Sequence, residues 1–154
     1  MAISHANPNF FHKSKRNIDT DILQKLVKKN GFIGLSLYPY HLKNLGDCTI
    51  EDFCEMIKEL VNLIGEDNIG IGSDLCLNWP DDVVMWMRNG KWTKNIDYGE
   101  SKDKNPKWPK LPSWYKQPSD LNNLFYLMCE NNIPEKVSTK IIGQNWFNFM
   151  KNQF

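Results

Sequence analysis

The apolar residues of the first half fall into short runs that alternate with longer, helix-like stripes. Residues 32–37 (FIGLSL) and 68–73 (NIGIGS) are short and mostly apolar, which is the pattern of strands buried on both faces. A shorter run, residues 2–4, ends at His5 and predicts the last residues of a further strand. The pattern therefore predicts three strands, with Asp74 directly after the last of them.

Two helices are predicted between these strands. Asp19 is a suitable N-cap for a helix that reaches about residue 30, and Gly31 is expected to end it as a C′ glycine. A capping-box-like start at Thr49 opens the strongest helix of the chain, which Gly65 ends. The apolar stripe of that helix comprises Ile50, Phe53, Met56, Ile57, Leu60, Val61 and Ile64. Strands that alternate with helices predict an α/β fold with parallel strands and right-handed crossovers.

After Asp74 the alternation breaks. Residues 75–117 form a long segment rich in Pro, Lys and Trp, and loops of this length are usually functional or disordered. Its tryptophans are Trp79, Trp86, Trp92, Trp108 and Trp114. Because so much aromatic surface needs burial, we expect an ordered insertion or cover with a short helix over residues 82–88. Two helices are predicted after it, over residues 119–131 and 134–150, with Pro134 as the first residue of the second.

Composition and charge narrow the class of protein. A chain of 154 residues with 41% hydrophobic and 24% charged residues is ordinary for one soluble globular domain. The net charge of +1 argues against a nucleic acid or an anionic membrane as the main partner. Since no signal-peptide core, membrane helix or lipid-anchor tail is visible, we expect a cytoplasmic location. The cysteines lie far apart and are expected to be free thiols: Cys48, Cys54, Cys76 and Cys129.

Candidate chemistry lies where the predicted strands end. His5 and Asp74 follow two of the strands, and the carboxyl edge of a parallel sheet is where ligands bind. An imidazole and a carboxylate suit a metal site, and Arg16 in the loop after His5 suits a substrate carboxylate. The structural alternatives are a loop histidine, a turn or N-cap aspartate, and a solvated arginine. His12 and His41 are interpreted as surface or loop histidines rather than as extra ligands.

The pattern leaves two architectures open. A three-stranded parallel sheet has two open edges, which an isolated small domain has little means to cover. A full (β/α)8 barrel needs about 250 residues. The chain is therefore either a small open α/β domain or part of a larger barrel.

Several motifs together resemble one known family. They are SHAN (residues 4–7), RN (16–17), FIGLSLYP (32–39), ELVNLIGEDNIGIGSD (59–74) and GQNWFNF (143–149). In this order and spacing the chain resembles the membrane (renal) dipeptidases, zinc metallopeptidases of family M19. The resemblance implies the C-terminal part, about strands 6–8 with their helices, of a (β/α)8 TIM-like metallohydrolase barrel. It also implies the hydrolysis of dipeptides to free amino acids.

The resemblance assigns roles to three residues. It places His5 as a ligand of the second of two zinc ions, and Arg16 as the residue that holds the substrate's C-terminal carboxylate. It places Asp74 as the catalytic residue that orients the attacking water or passes a proton to the leaving amine. The implied mechanism is attack by a zinc-bridging hydroxide on a peptide carbonyl that zinc polarises.

The chain departs from the family pattern in two ways. Leu75-Cys76-Leu77 stands where the family often has F-D-G after the aspartate, which affects the expected substrate preference. The family's H-x-D pair, bridging glutamate and other metal histidine have no counterpart, and catalytic zinc usually has three protein ligands. We therefore expect an incomplete enzyme that pairs with an N-terminal half-barrel or forms a homo-oligomer. The alternative is a non-catalytic barrel remnant that binds peptides or pairs with such a half.

Overall fold

Three parallel strands form the sheet of this protein. The structure is a computed structural model and describes residues 1–88 and 108–152. The strands β1 (Ala2–Ile3), β2 (Phe32–Leu35) and β3 (Ile69–Ile71) lie side by side in that order. Ile33 pairs with Ile69, and both pairs of strands are parallel. The predicted α/β class with parallel strands is confirmed.

The two crossover helices also lie where the pattern predicts them. Helix α1 covers Thr20–Lys28 and helix α2 covers Ile50–Ile64. Thr49 caps α2 because its Oγ1 accepts a hydrogen bond from the backbone N–H of Asp52 at 3.1 Å. Gly65 ends α2 with a φ of +80°, a conformation that glycine adopts without a steric penalty. Short 3₁₀ helices at Pro39–His41, Leu45–Asp47 and Glu66–Asn68 were not predicted.

Gly31 does not have the predicted role at the end of α1. Asn30 is the left-handed residue, with a φ of +53°, and Gly31 follows it. The N–H groups of Asn30 and Gly31 donate to the carbonyls of Val27 and Leu26, which is the Schellman arrangement. Asparagine tolerates the left-handed region, so the turn needs no glycine there. Gly31 instead allows a close approach to Leu26, whose Cδ1 lies 2.4 Å from the site of an added Cβ.

The second half of the chain is helical in its described parts. Helix α3 covers Asp81–Arg88, as predicted, while residues 89–107 of the predicted tryptophan-rich segment lie outside the described residues. Helices α4 (Asp120–Glu130), α5 (Glu135–Thr139) and α6 (Asn145–Lys151) follow. The predicted last helix is continuous but contains a π-helical turn at Lys140–Gln144, and Pro134 stands one residue before α5. None of the helices in the described ranges has the length and apolar character needed to cross a bilayer.

The chain divides into two compact units. The first unit combines Met1–Leu75 with Lys110–Phe154 and contains the sheet, and the second consists of Cys76–Pro109. In the first unit one face of the sheet is formed by alternate residues of β2 and β3, namely Ile33, Leu35, Ile69 and Ile71. They belong to one buried cluster with helix residues that include Leu23, Leu26, Phe53, Ile57, Leu60, Leu124 and Met128. This cluster is the core of the first unit.

The outer edge of β3 is covered by side chains of the last helix. Asn145 Nδ2 donates to the carbonyl of Ile69 at 2.8 Å, and Trp146 Nε1 donates to the carbonyl of Ile71 at 2.8 Å. The Trp146 ring also packs on Phe32, with ring centroids 4.4 Å apart. These contacts satisfy two carbonyls that an edge strand otherwise presents to solvent.

Two glycines let the sheet curl strongly at its carboxyl end. The carbonyl oxygen of Ser4 lies 2.2 Å from the site of an added Cβ on Gly34 and 1.8 Å from that on Gly72. Ser4 follows β1 and Gly72 follows β3, and strands on either side of a third are about 10 Å apart in a flat sheet. The carboxyl ends of β1 and β3 therefore converge over Gly34.

Candidate functional site

The three residues that the sequence singled out lie together at the carboxyl edge of the sheet. His5 follows β1, and Asp74 follows β3, so the convergence of these strand ends brings the two residues near each other. Arg16 lies in the loop after β1 and lines, with His5 and Lys15, an open concavity of about 410 Å³. The charges of both His5 and Arg16 act on the Asp74 carboxyl. One imidazole, one guanidinium and one carboxylate thus share this edge.

Asp74 is partly buried, and its electrostatic setting is mixed. Burial raises the pKa of its carboxyl above the ordinary value, because a low-dielectric environment disfavours the charged form. The positive charges of His5 and Arg16 act on that pKa in the opposite direction and are the smaller effects. The backbone of Asp74 is left-handed, with a φ of +52°, which aspartate tolerates better than most residues. A carboxyl with a raised pKa is suited to accept and return a proton.

The turn before Asp74 is held from two sides. The carbonyl of Ser73 accepts a hydrogen bond from the backbone N–H of Leu37 at 3.2 Å. The side chain of Ser73 is hydrogen-bonded to the buried hydroxyl of Tyr115. Burial raises the pKa of Tyr115, and the bond with Ser73 lowers it by less. Sequence reasoning missed Tyr115, because nothing local to residues 110–117 indicates a contact with a strand end.

One ring nitrogen of His5 is already engaged. Its Nδ1 lies 2.8 Å from Ser4 Oγ, and the imidazole is partly buried. A hydrogen bond to one nitrogen fixes the orientation of the ring and leaves Nε2 as the nitrogen suited to a metal or a proton.

The loop that carries Arg16 rests on buried asparagines. Asn7 and Asn17, the last residues of the SHAN and RN motifs, are both buried, with 0% and 6% of their surface exposed. The Asn17 side chain accepts from the Asn7 backbone N–H, and both side chains donate to the loop after β2, which includes Ser36 and His41. Sequence reasoning missed this group, although an asparagine in each of two closely spaced motifs was a signal that could have drawn attention to it.

The other histidines serve the loops. His12 is partly buried in the Arg16 loop, as expected for a loop histidine, and its carbonyl accepts from Asn17 Nδ2 at 2.7 Å. His41 was predicted to be a surface or loop histidine. It lies in a loop, but the surface position is wrong, since only 2% of the residue is exposed. His41 lies in the 3₁₀ turn after β2, with Nδ1 2.8 Å from Ser36 Oγ.

The described residues do not complete a zinc site. Within residues 1–88 and 108–152, no group of three or more His, Cys, Asp or Glu side chains could hold a metal ion. His5 and Asp74 offer two donors, whereas catalytic zinc takes three protein ligands. Burial raises the pKa of the Cys48 and Cys54 thiols to about 12, so neither is a ready thiolate ligand.

Comparison with known proteins identifies the family. The model of the membrane dipeptidases (peptidase family M19) matches residues 1–81. The dipeptidase aclJ of Aspergillus oryzae is 32% identical over 73 residues, which are 46% of this chain and 17% of that protein. A dipeptidase of Schizosaccharomyces pombe is 26% identical over 76 residues, 48% of this chain and 18% of that protein. The matched part of this chain thus covers less than a fifth of the length of these curated relatives.

Solved structures extend the likeness over almost the whole chain. An amidohydrolase from Pseudomonas aeruginosa matches 95% of this chain and 43% of its own, with a TM-score of 0.80 and 28% identity. A metallopeptidase from Rhodobacter sphaeroides, solved with a phosphinate mimic of L-Ala-D-Ala, matches 99% of this chain and 36% of its own. Its TM-score is 0.71 and its identity 18%, which supports the fold alone. With its family match over residues 1–81, the chain belongs to the membrane dipeptidase family, peptidase family M19.

Proposed function

We propose that this chain supplies the carboxylate-binding and proton-transfer side of a zinc-dependent dipeptidase site. The observation that carries the proposal is the grouping of His5, Arg16 and Asp74 at one sheet edge, where the first two act electrostatically on the third. In parallel α/β folds this edge holds the active site. Membership in a dipeptidase family makes a dipeptide the substrate class that we expect.

Each residue has a proposed role that follows from its chemistry. Arg16 is exposed in its loop and can bind the C-terminal carboxylate of a dipeptide through two parallel N–H donors. Asp74 orients the attacking water or carries a proton to the leaving amine, for which a raised pKa is an advantage. His5 offers one nitrogen ligand.

Zinc, when bound, supplies a Lewis acid and a low-pKa water. The described residues alone do not hold it, so we propose that the remaining ligands come from elsewhere. The chain spans 36–43% of the solved relatives, and β1 pairs only with β2 in the described sheet. These facts support the proposal that the chain is the C-terminal part, about strands 6–8, of a (β/α)8 barrel that an N-terminal half-barrel or a second copy completes.

A non-catalytic peptide-binding remnant is the second candidate. It is favoured by the same shortage of metal ligands among residues 1–88 and 108–152. It keeps the proposed role of Arg16 and drops those of His5 and Asp74. We also propose that residues 75–117, which begin at the departure from F-D-G, form a cover that narrows substrate preference.

The test uses the full 154-residue chain, alone and together with the N-terminal portion of a family member. Zinc content, amino-acid release from dipeptides, and affinities for a dipeptide and its C-terminal amide are measured. We expect less than one zinc and no turnover for the chain alone, and turnover after complementation. Turnover by the chain alone would contradict the proposal that the chain is an incomplete enzyme. A complemented complex that binds dipeptide without turnover would favour the non-catalytic, peptide-binding remnant.

The carboxylate role is tested separately by Arg16→Gln, with Lys13→Gln as the matched control. Lys13 lies in the same exposed charge run but does not line the concavity. Arg16→Gln should weaken binding of the free dipeptide by about tenfold or more and leave binding of the amide unchanged. Equal loss with Lys13→Gln would point to net charge rather than to a specific contact.

A further inference from the structure

The Arg16 loop is closed by a narrow neck between residues 7–9 and Ile18. Asn9 N donates to the carbonyl of Ile18 at 2.8 Å, and Ile18 N donates to the carbonyl of Asn7 at 2.8 Å. Pro8 and Ile18 form an isolated parallel bridge between these bonds. Arg16 lies two residues before Ile18, so the neck fixes the backbone position close to Arg16.

Two buried amides complete the neck and tie it to the next loop. Asn17 Oδ1 accepts from Asn7 N at 3.0 Å, and Asn17 Nδ2 donates to the carbonyls of His12 at 2.7 Å and His41 at 3.1 Å. Asn7 Nδ2 donates to the carbonyls of Ser36 at 2.9 Å and His41 at 3.0 Å. Asn7 Oδ1 accepts from Ser36 N at 3.1 Å.

These bonds use the oxygen and the nitrogen of both amides. The His41 carbonyl receives one donor from each asparagine, which makes it the point where the loop after β1 is attached to the loop after β2. Asn7 and Asn17 are almost fully buried, and buried backbone groups left without partners are costly. No other amino-acid side chain of this length offers two donors and one acceptor in this geometry.

We propose that Asn7 and Asn17 are positioning residues for Arg16. Their side-chain amides clamp the Arg16 loop to the loop after β2. The clamp keeps the guanidinium on the side of the loop where its charge reaches Asp74. The inference rests on the proposed function of Arg16 as the carboxylate-binding residue. It adds that affinity for the carboxylate depends on two residues that do not touch the substrate.

The clamp itself is tested by hydrogen exchange, which needs no activity. In Asn17→Ala the backbone amides of residues 7–18 should exchange about tenfold faster or more, while those of α4 stay unchanged. Asn123→Ala, at an exposed asparagine of α4, is the matched control. Uniform acceleration over the whole chain, or none at all, would overturn the clamp. If Asn17→Ala does not fold, Asn17→Ser removes both amide donors with a neutral side chain, whereas aspartate would place a buried charge beside two carbonyl oxygens.

The positioning role is tested by binding of a dipeptide and its C-terminal amide. Asn17→Ala should weaken dipeptide binding about tenfold, leave amide binding unchanged, and have no further effect in an Arg16→Gln background. Faster local exchange with an unchanged preference for the carboxylate would overturn the positioning role and leave the proposed function standing. If the unaltered chain binds both ligands equally, the proposed function fails, and the exchange result still decides whether the amides hold the loop.

Discussion

Asp74 combines a partly buried carboxyl, a left-handed backbone and two basic neighbours, His5 and Arg16. Because the pKa of the folded carboxyl lies above its value in the unfolded chain, the native state binds more protons between these two values. Stability therefore falls as the pH rises through that window. Above the window, the native state bears the cost of a buried negative charge.

Asp74→Asn removes this cost, and asparagine also accepts the left-handed backbone. In the presence of a chelator, we expect the variant to be more stable than the unaltered chain at pH 7, by less than about 1 kcal/mol because solvent screens a partly exposed group. The gain should shrink as the pH falls toward 3.8, where the ordinary carboxyl is half protonated. Urea unfolding at several pH values measures it, and a gain independent of pH would contradict the explanation.

Two cysteines are expected to resist alkylation. Burial raises the pKa of the Cys48 and Cys54 thiols to about 12, so the reactive thiolate is scarce below that pH in the folded chain. Iodoacetamide at pH 8 should label neither residue until a denaturant is added. Cys129, which is partly exposed, serves as the internal comparison. Peptide mass spectrometry reads the labelling, and rapid native labelling of Cys54 would show that α2 opens readily.

At the residue scale the sequence predicted those groups whose position follows from strand ends. His5 and Asp74 could be placed at one sheet edge because parallel strands end together. Asn7, Asn17 and His41 could not be identified as buried, because their partners lie 10 to 34 residues away and no local period marks them. A polar residue after a strand is usually a solvated loop residue, and here long-range hydrogen bonds reverse that expectation.

At the scale of elements, the curl of the sheet depends on glycine. An added Cβ on Gly72 would lie 1.8 Å from the Ser4 carbonyl oxygen, a backbone atom that cannot turn away. Gly72→Ala should therefore separate the ends of β1 and β3 and cost about 3 kcal/mol or more. Gly143→Ala is the control, since nothing lies within 4 Å of its added Cβ and alanine favours a helix. Thermal unfolding compares them, and equal Tm values would refute the close approach.

The last helix is expected to stabilise β3 through one indole. Trp146→Phe keeps an aromatic ring near Phe32 but removes the N–H that binds the Ile71 carbonyl. We expect a loss of about 1–3 kcal/mol, since that carbonyl loses its partner and the smaller ring leaves space. Phe147→Leu, at a side chain that is 68% exposed, should change stability by less than about 0.5 kcal/mol. Similar losses for both variants in urea unfolding would mean that the indole bond contributes little.

The sequence predicted which helices and strands exist better than it predicted the backbone geometry at their ends and irregular turns. The apolar stripe of α2 and its Thr49 cap are local, and both agree with the structure. The left-handed Asn30 and the π-helical turn at Lys140–Gln144 are not marked by the apolar period. The π-helical turn coincides with Lys140, which forms ion pairs with Glu66 and Asp67, so a distant contact accompanies the local irregularity.

At the scale of the whole molecule, the first unit is assembled from two segments of chain. Met1–Leu75 and Lys110–Phe154 share one core, in which Trp114 Nε1 donates to the carbonyl of Cys48. We expect that replacing residues 76–109 with a flexible Gly/Ser linker leaves this unit folded, with a cooperative transition near the original Tm. Circular dichroism and amide spectra measure the outcome. Loss of the transition would mean that the second unit is needed for the first to fold.

The two sheet edges impose different conditions on a completed barrel. In the described sheet β1 pairs only with β2, so its other edge can accept a further strand. Beside β3, the carbonyls of Ile69 and Ile71 already bind Asn145 and Trp146. Closure at β3 would require these side chains to give way to the backbone donors of a neighbouring strand. The proposed half-barrel is therefore expected to dock first at β1.

The cover on β3 comes from residues far along the chain. The hydrogen bonds of Asn145 and Trp146 to residues 66–71 span 75 to 79 residues, so closing them costs more loop entropy than forming local contacts, and we expect them to form late in folding. Until then the outer edge of β3 is a template on which another unfolded molecule can pair. Because this edge is covered late, we expect the refolding yield to fall as the protein concentration rises. The stability of the folded protein should depend on concentration much less.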